Sequence, residues 1–245
     1  IDSSECRVHG SLFSLPQWKL RKTKGHEASC KLHVVYNIDQ GWIDDFKVTG
    51  AKKGDSLISL QMKLRPHKTY VFDRAYNDLD FWLKITESGS HFVTRLKEYK
   101  KVSRLQAEVL RAKPESSGVL YDDFYEMGHV LRFYYQERLR ATRFRHIVYR
   151  DALTQKIFHF ITSDLESPAQ QIADIYKRRW AVELLFRWLK GHLDIRYLAV
   201  RNTNAVKIQI AVVVLIQLLL RLKKMILRFT GTLWELLRKI RAHQI

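Results

Sequence analysis

Residues 175–190 read Ile-Tyr-Lys-Arg-Arg-Trp-Ala-Val-Glu-Leu-Leu-Phe-Arg-Trp-Leu-Lys. They lie inside a helical pattern predicted over about 169–192, after Pro168. At about 100° per residue, Tyr176, Arg179, Glu183, Arg187 and Lys190 share one stripe roughly 20 Å long. Most of the remaining circumference is apolar: Ile175, Val182, Leu184, Leu185, Phe186, Trp188 and Leu189. A helix apolar nearly all round is expected to be buried. Its single charged stripe then faces a cleft, an ion or a ligand, because unpaired buried charge is costly. The same spacing also suits Glu183 pairing with Arg179 and Arg187 at i±4 on a solvated face.

Upstream of this helix the chain reads as strands. Residues 31–38, rich in β-branched and aromatic side chains, form one; Asp39-Gln40-Gly41 is a turn; residues 42–49 return. Asp55 is the N-cap of a helix predicted to run to about Leu64, closed by Pro66. Residues 69–73 form a short strand ending in Asp73, 78–88 a helix and 91–96 a strand. From about 98 to 165 aromatic and basic residues alternate in extended runs, at 119–127, 130–138, 144–150 and 156–162, which predicts an antiparallel β insertion. Further helices are predicted over 204–228 and 233–242. The order β-β-β-α-β-α-β, then β insertion, then helices, implies an α/β fold: a mixed sheet flanked by helices. The boundaries fall at 1–97 for the first part of the core, 98–166 for the insertion and 167–245 for the C-terminal helices.

Two acids besides Glu183 sit beside apolar strands. Asp73 ends Tyr70-Val-Phe, and Asp2 follows Ile1. Such an Asp is either a cap for the next element or a functional group. Three carboxylates on separate elements are the ligand set expected for hard divalent cations. Two such ions about 3.5–4 Å apart can activate a water or 3′-hydroxyl and stabilise the leaving oxygen in phosphoryl transfer.

The 245 residues carry a net charge of +18 and 46% hydrophobic residues. The charge points first to a nucleic-acid partner and second to a membrane surface. Arg132, Arg138, Arg140, Arg143, Arg145 and Arg150 interleave with Phe133, Tyr134, Tyr135, Phe144 and Tyr149, a pattern suited to phosphate contact and base stacking, and equally to an ordinary β surface. Cys6 and Cys30 are the only cysteines, so a reducing, cytoplasmic setting is expected and no disulfide framework. The N-terminus has no secretory pattern. The most apolar stretch, 205–220, contains Lys207, Gln209 and Gln217 and reads as a buried core helix, not a membrane span. The histidines lack zinc-ligand spacing, and no Gly-rich phosphate loop is present.

Tyr176-x2-Arg179-x3-Glu183-x6-Lys190 resembles the Tyr-Arg-Glu-Lys motif of the DDE transposases of insertion-sequence family four. Asp2-Ser-Ser, Phe13-Ser-Leu-Pro, Arg21-Lys-Thr-Lys-Gly25, Lys31-Leu-His33, Asp73-Arg-Ala-Tyr76 and Asn204-Ala-Val-Lys-Ile-Gln209 are similar to that family in the same order, to about residue 220. The resemblance implies an RNase H-like fold with a β-strand insertion between the second Asp and the Glu. It implies a metal-binding catalytic triad of Asp2, Asp73 and Glu183, with Mg2+ or Mn2+ as a pair of ions. Tyr176, Arg179 and Lys190 are then expected to grip phosphates of double-stranded DNA, with Arg187, Arg143 and Arg145 as further DNA contacts. A homodimer on DNA and no membrane association are expected. The family usually has a substantial region ahead of the first Asp, whereas this chain starts one residue before it, so transposon-end recognition is expected to be missing. Residues 51–55, Ala-Lys-Lys-Gly-Asp, follow the family's Gly-Lys-Val-His-Asp only loosely. A related nuclease that does not join strands, and an inactive DNA-binding remnant, are the alternatives.

Overall fold

Strand β1 (Asp2–Val8) pairs antiparallel with β2 (Ala28–Asn37), which turns back into β3 (Trp42–Gly50). The turn falls where Asp39-Gln40-Gly41 predicts it, and Gly41 takes a φ of 76°. That is backbone only glycine adopts without cost. The computed structural model describes residues 1–9, 11–12, 28–96, 118–125, 138 and 142–243. The described residues divide into two compact units, one of 1–58 with 180–245 and one of 59–179.

In the first unit the sheet order is β3-β2-β1-β9, where β9 (Tyr197–Leu198) is a two-residue strand parallel to β1 that the sequence reading missed. Helix α1 spans only Asp55–Ser59, shorter than expected. The even positions of β1 and β2 that face inward, Cys6, Val8, Cys30, Leu32 and Val34, pack against two helices. From α4 (Trp180–His192) come Val182, Leu185, Phe186 and Leu189. From α5 (Thr203–Ile226) come Val206, Ile210, Val213 and Val214. Helix α6 (Leu233–Arg241) starts on a capping box, Thr232 with Glu235, and closes a smaller cluster with Leu220.

The second unit holds a five-stranded mixed sheet in the order β4-β5-β8-β7-β6. Strands β4 (Thr69–Phe72) and β5 (His91–Arg95) are parallel, joined through α2 (Leu79–Glu87), whose N-cap Asp78 accepts from the Phe81 N–H. Strands β6 (Val119–Phe124), β7 (Arg145–Arg150) and β8 (Ile157–Thr162) are antiparallel, as the alternating runs predict. The strand expected at 130–138 lies outside the described residues but for Arg138. Phe72, Phe81, Trp82, Phe92 and Phe144 stack into one aromatic core. Helix α3 (Ala169–Lys177) seals the sheet with Ile172 and Ala173.

Three expectations need correction. The single helix predicted over 169–192 is two, α3 and α4. At the break the Arg179 N–H bonds the Tyr176 carbonyl three residues back, a tightened 3-10 turn with no Pro or Gly to announce it. Helix α4 is also not apolar-buried all round, since Trp180 and Leu184 stay about half exposed at 50% and 46%. The stretch at 205–220 is likewise buried on one face only: Ile208, Val212, Leu215 and Leu219 of α5 are exposed. By length and composition alone α5 could cross a membrane.

Candidate active site

Asp73 directly follows β4 and occupies the N-cap position of a single 3-10 turn, Arg74–Tyr76. Its carboxylate makes no capping bond there. The group is partly buried, and no side-chain hydrogen bond or ion pair is recorded for it among the described residues. The cap role that a lone Asp usually takes at a strand end is therefore not the role of this one.

The same unit brings Asp73 and Arg179 into the electrostatic reach of the Tyr176 phenol. The Tyr176 ring packs on Phe160 at 4.9 Å, and the Arg179 guanidinium lies 5.9 Å from the Tyr176 ring centre. Burial pushes the Tyr176 phenol above its ordinary pKa, Arg179 and Arg95 oppose that rise, and Asp73 adds to it. The phenol is thus a neutral donor near neutral pH, fit to donate to an anionic oxygen but not to take up a proton.

Asp2 and Glu183 belong to the other unit. Asp2 opens β1 opposite Val34 and accepts the Ser3 N–H at 2.8 Å. Glu183 is in the first turn of α4, partly buried, on the helix that packs against β1 through Val182, Leu185 and Leu189. A carboxylate in a first turn is favoured by the helix dipole. Among the described residues no group of three or more His, Cys, Asp or Glu side chains is gathered closely enough to hold a metal. In donor chemistry the three acids suit a hard cation, and Asp73 offers oxygens on which no capping bond draws.

Of the other expected contacts, Arg187 is exposed on α4 and Lys190 is partly buried two turns after Glu183. Arg143 lies over the Phe124 ring at 5.2 Å. Arg145 is spent inside the fold. Its fork takes both Asp122 oxygens at 2.6 and 2.7 Å and the Ser167 carbonyl at 2.6 Å. Arg138 bridges Asp80 and Glu87 on the surface. Arg132 and Arg140, and the motif segments 13–16 and 21–25, lie outside the described residues.

Asp55, expected as an N-cap, is instead the first residue of α1. Its carboxylate accepts from Ser3 Oγ at 3.0 Å and from Lys31 Nζ at 3.3 Å, and faces His33 Nδ1 at 3.5 Å. Burial drops His33 to a pKa of about 4, so the ring is neutral. The signal was present: Lys31 and His33, two apart on one strand, share a face. What they share it with is set by a residue more than 20 positions away.

The model of the transposase DDE domain family matches residues 1–219. The chain belongs to the DDE transposase family. It is similar to "Putative transposase y4zB" of Sinorhizobium fredii, 31% identical over 85% of this chain and 57% of that protein. It is also similar to "Probable transposase for insertion sequence element IS5377" of Geobacillus stearothermophilus, 30% identical over 80% of this chain and 50% of that one. "Putative transposase for insertion sequence element IS4SA" of Synechocystis sp. is 45% identical over a shorter stretch, 22% of this chain and 16% of that one. The chain spans about half the length of the first two relatives. The chain has a mixed α/β architecture, two mixed sheets flanked by helices, consistent with the RNase H-like fold of such domains.

Proposed function

We propose that this transposase domain cuts phosphodiester bonds of double-stranded DNA at transposon ends and transfers the freed strands to a target. Asp2, Asp73 and Glu183 act as the ligands of two divalent ions, Mg2+ or Mn2+. When bound, such ions supply Lewis acidity to the attacking and leaving oxygens. The observation that carries this reading is Asp73, a partly buried carboxylate at a cap position that caps nothing.

Tyr176 and Arg179 are the phosphate contacts beside it. The Arg179 fork neutralises and orients a non-bridging oxygen pair, and the Tyr176 hydroxyl donates a hydrogen bond. Lys190 adds a point charge on α4, and Arg187 is exposed for the same use. With Glu183 they form the Tyr-Arg-Glu-Lys set of insertion-sequence family four. Arg143 offers a further contact just before β7, whereas Arg145 is occupied by Asp122 and is left out. The insertion is assigned to 98–166, between core parts 1–97 and 167–245, and the working species is a dimer on DNA.

The test is incubation of the chain with labelled DNA carrying candidate transposon ends and a target plasmid in Mg2+. Strand-joined products support the full reading. Cut ends without joining reduce it to a nuclease, and DNA binding without cutting reduces it to a binding remnant.

A further inference from the structure

The unit of residues 1–58 and 180–245 carries a cleft of about 900 Å³ whose lining shares only Lys190 with the phosphate contacts proposed above. Register builds it. Arg7 of β1 stands opposite Ser29 of β2, and Cys30 opposite Gly50, so the loop that follows Gly50 projects beside both. That loop contributes Lys52 and Lys53, both exposed. Lys190 of α4 and Arg196, just before β9, complete a basic lining. The acids are few. Asp55 is matched by Lys31 at 3.3 Å, which leaves Glu5 against Lys52, Lys53, Lys190 and Arg196. No ion pair is recorded for Lys52, Lys53, Lys190 or Arg196 among the described residues.

A second observation is independent of charge. Ser29 lines the cleft, is 2% exposed, and its Oγ has no hydrogen-bond partner. A buried hydroxyl without a partner is costly in a fold, and a bound acceptor removes that cost. Several cations and one unsatisfied hydroxyl donor on a wall together ask for an oxyanion. The cleft is several times larger than a free phosphate ion. Its lysines sit at an exposed loop instead of converging on one point, as a polymer of repeated charges requires.

We infer that this cleft is a phosphodiester-binding subsite that seats the DNA backbone, apart from the carboxylates assigned to metal. The choice of DNA as the phosphate source rests on the transposase reading above. The site extends the contact proposed for Lys190 to residues outside the Tyr-Arg-Glu-Lys set: Lys52, Lys53, Arg7, Arg196 and Ser29.

Fluorescence anisotropy with a labelled DNA duplex, titrated at several salt concentrations, tests it. The double variant Lys52→Glu with Lys53→Glu is compared with a charge-matched control on exposed helix positions, Lys207→Glu with Arg238→Glu. The cleft variant should lose affinity about tenfold or more, and its log–log salt slope should shrink by about 1.8, roughly 0.9 per lost contact. Its melting temperature should match that of the parent, since both lysines are exposed. The control should lose far less. Equal losses in both variants, or none in the cleft variant, overturn the subsite while the parent's binding leaves the transposase reading standing. A parent that binds no DNA overturns both. Inorganic phosphate should compete no better than chloride at equal ionic strength; selective displacement by phosphate would make this a free-anion site and overturn the backbone assignment.

Discussion

Gln217 of α5 donates through Nε2 to the Gly41 carbonyl oxygen at 2.7 Å, and both residues are buried. This one bond ties the β2–β3 turn to the long helix across 176 positions of sequence. The sheet that carries Asp2 is therefore braced at the end where Asp2 lies, opposite Val34 near the turn. Gln217→Leu fills the same space but leaves the carbonyl unsatisfied, and should cost about 1–3 kcal/mol. Gly41→Ala should also destabilise, since φ is 76° and the new methyl would meet the Arg221 guanidinium carbon at 2.7 Å. Denaturant melts of both variants check this, and a parental midpoint for Gln217→Leu would remove the brace.

Arg145 is a structural residue by its contacts. Arg145→Ala removes a hydrogen bond from each oxygen of Asp122 in a site where the two side chains are 12% and 11% exposed. Breaking a mostly buried pair from one side costs on the order of 3 kcal/mol. Thermal unfolding should show that loss, while DNA affinity per folded molecule stays near that of the parent. A variant of normal stability and weakened DNA binding would return Arg145 to the DNA contacts.

Acid should loosen the second unit through His146. The ring is 3% exposed, stacked on His159 at 5.3 Å, and burial, with a smaller share from His159, lowers its pKa from 6.5 to about 4. The unfolded chain takes up this proton near the ordinary value, and the folded chain only near the lowered one. Stability is thus flat above the unfolded pKa, falls as pH drops through the window between the two, and levels out below the folded pKa. The full loss is up to about 3 kcal/mol. Melting temperatures across that window should fall for the parent and fall less steeply for His146→Gln. A parent whose stability is unchanged there contradicts the buried neutral ring.

Much of this was legible in the sequence, and the rest was not for physical reasons. The β2–β3 hairpin and the helices α2 and α6 are local, each decided by neighbours within a few residues. The break between α3 and α4 is not, because Lys177-Arg178-Arg179 has no helix breaker. The partner of Arg145 is also non-local, an acid on the adjacent strand 23 positions away. Asp73 was legible as a strand-end acid, but only coordinates could say that it caps nothing.

On the proposed reading Arg179 grips substrate and Glu183 holds metal, and the two roles can be separated. Arg179→Ala should weaken DNA binding and leave Mn2+ affinity intact, because a guanidinium cannot ligate a cation. Glu183→Gln should weaken Mn2+ binding and spare DNA binding, because it removes a negative charge from a phosphate site. Calorimetric metal titration alongside DNA anisotropy reads the two apart. If both changes act only on melting temperature, the pair is structural.

Plasmid cleavage in Mg2+ by the parent and by Asp2→Asn, Asp73→Asn and Glu183→Gln, one at a time, tests the three-carboxylate reading most directly. Each variant keeps shape and loses one negative oxygen. The parent should convert supercoiled to nicked or linear DNA, and each variant should be slowed by about 100-fold or more with its DNA affinity retained. Parental cleavage by Asp73→Asn would contradict the account.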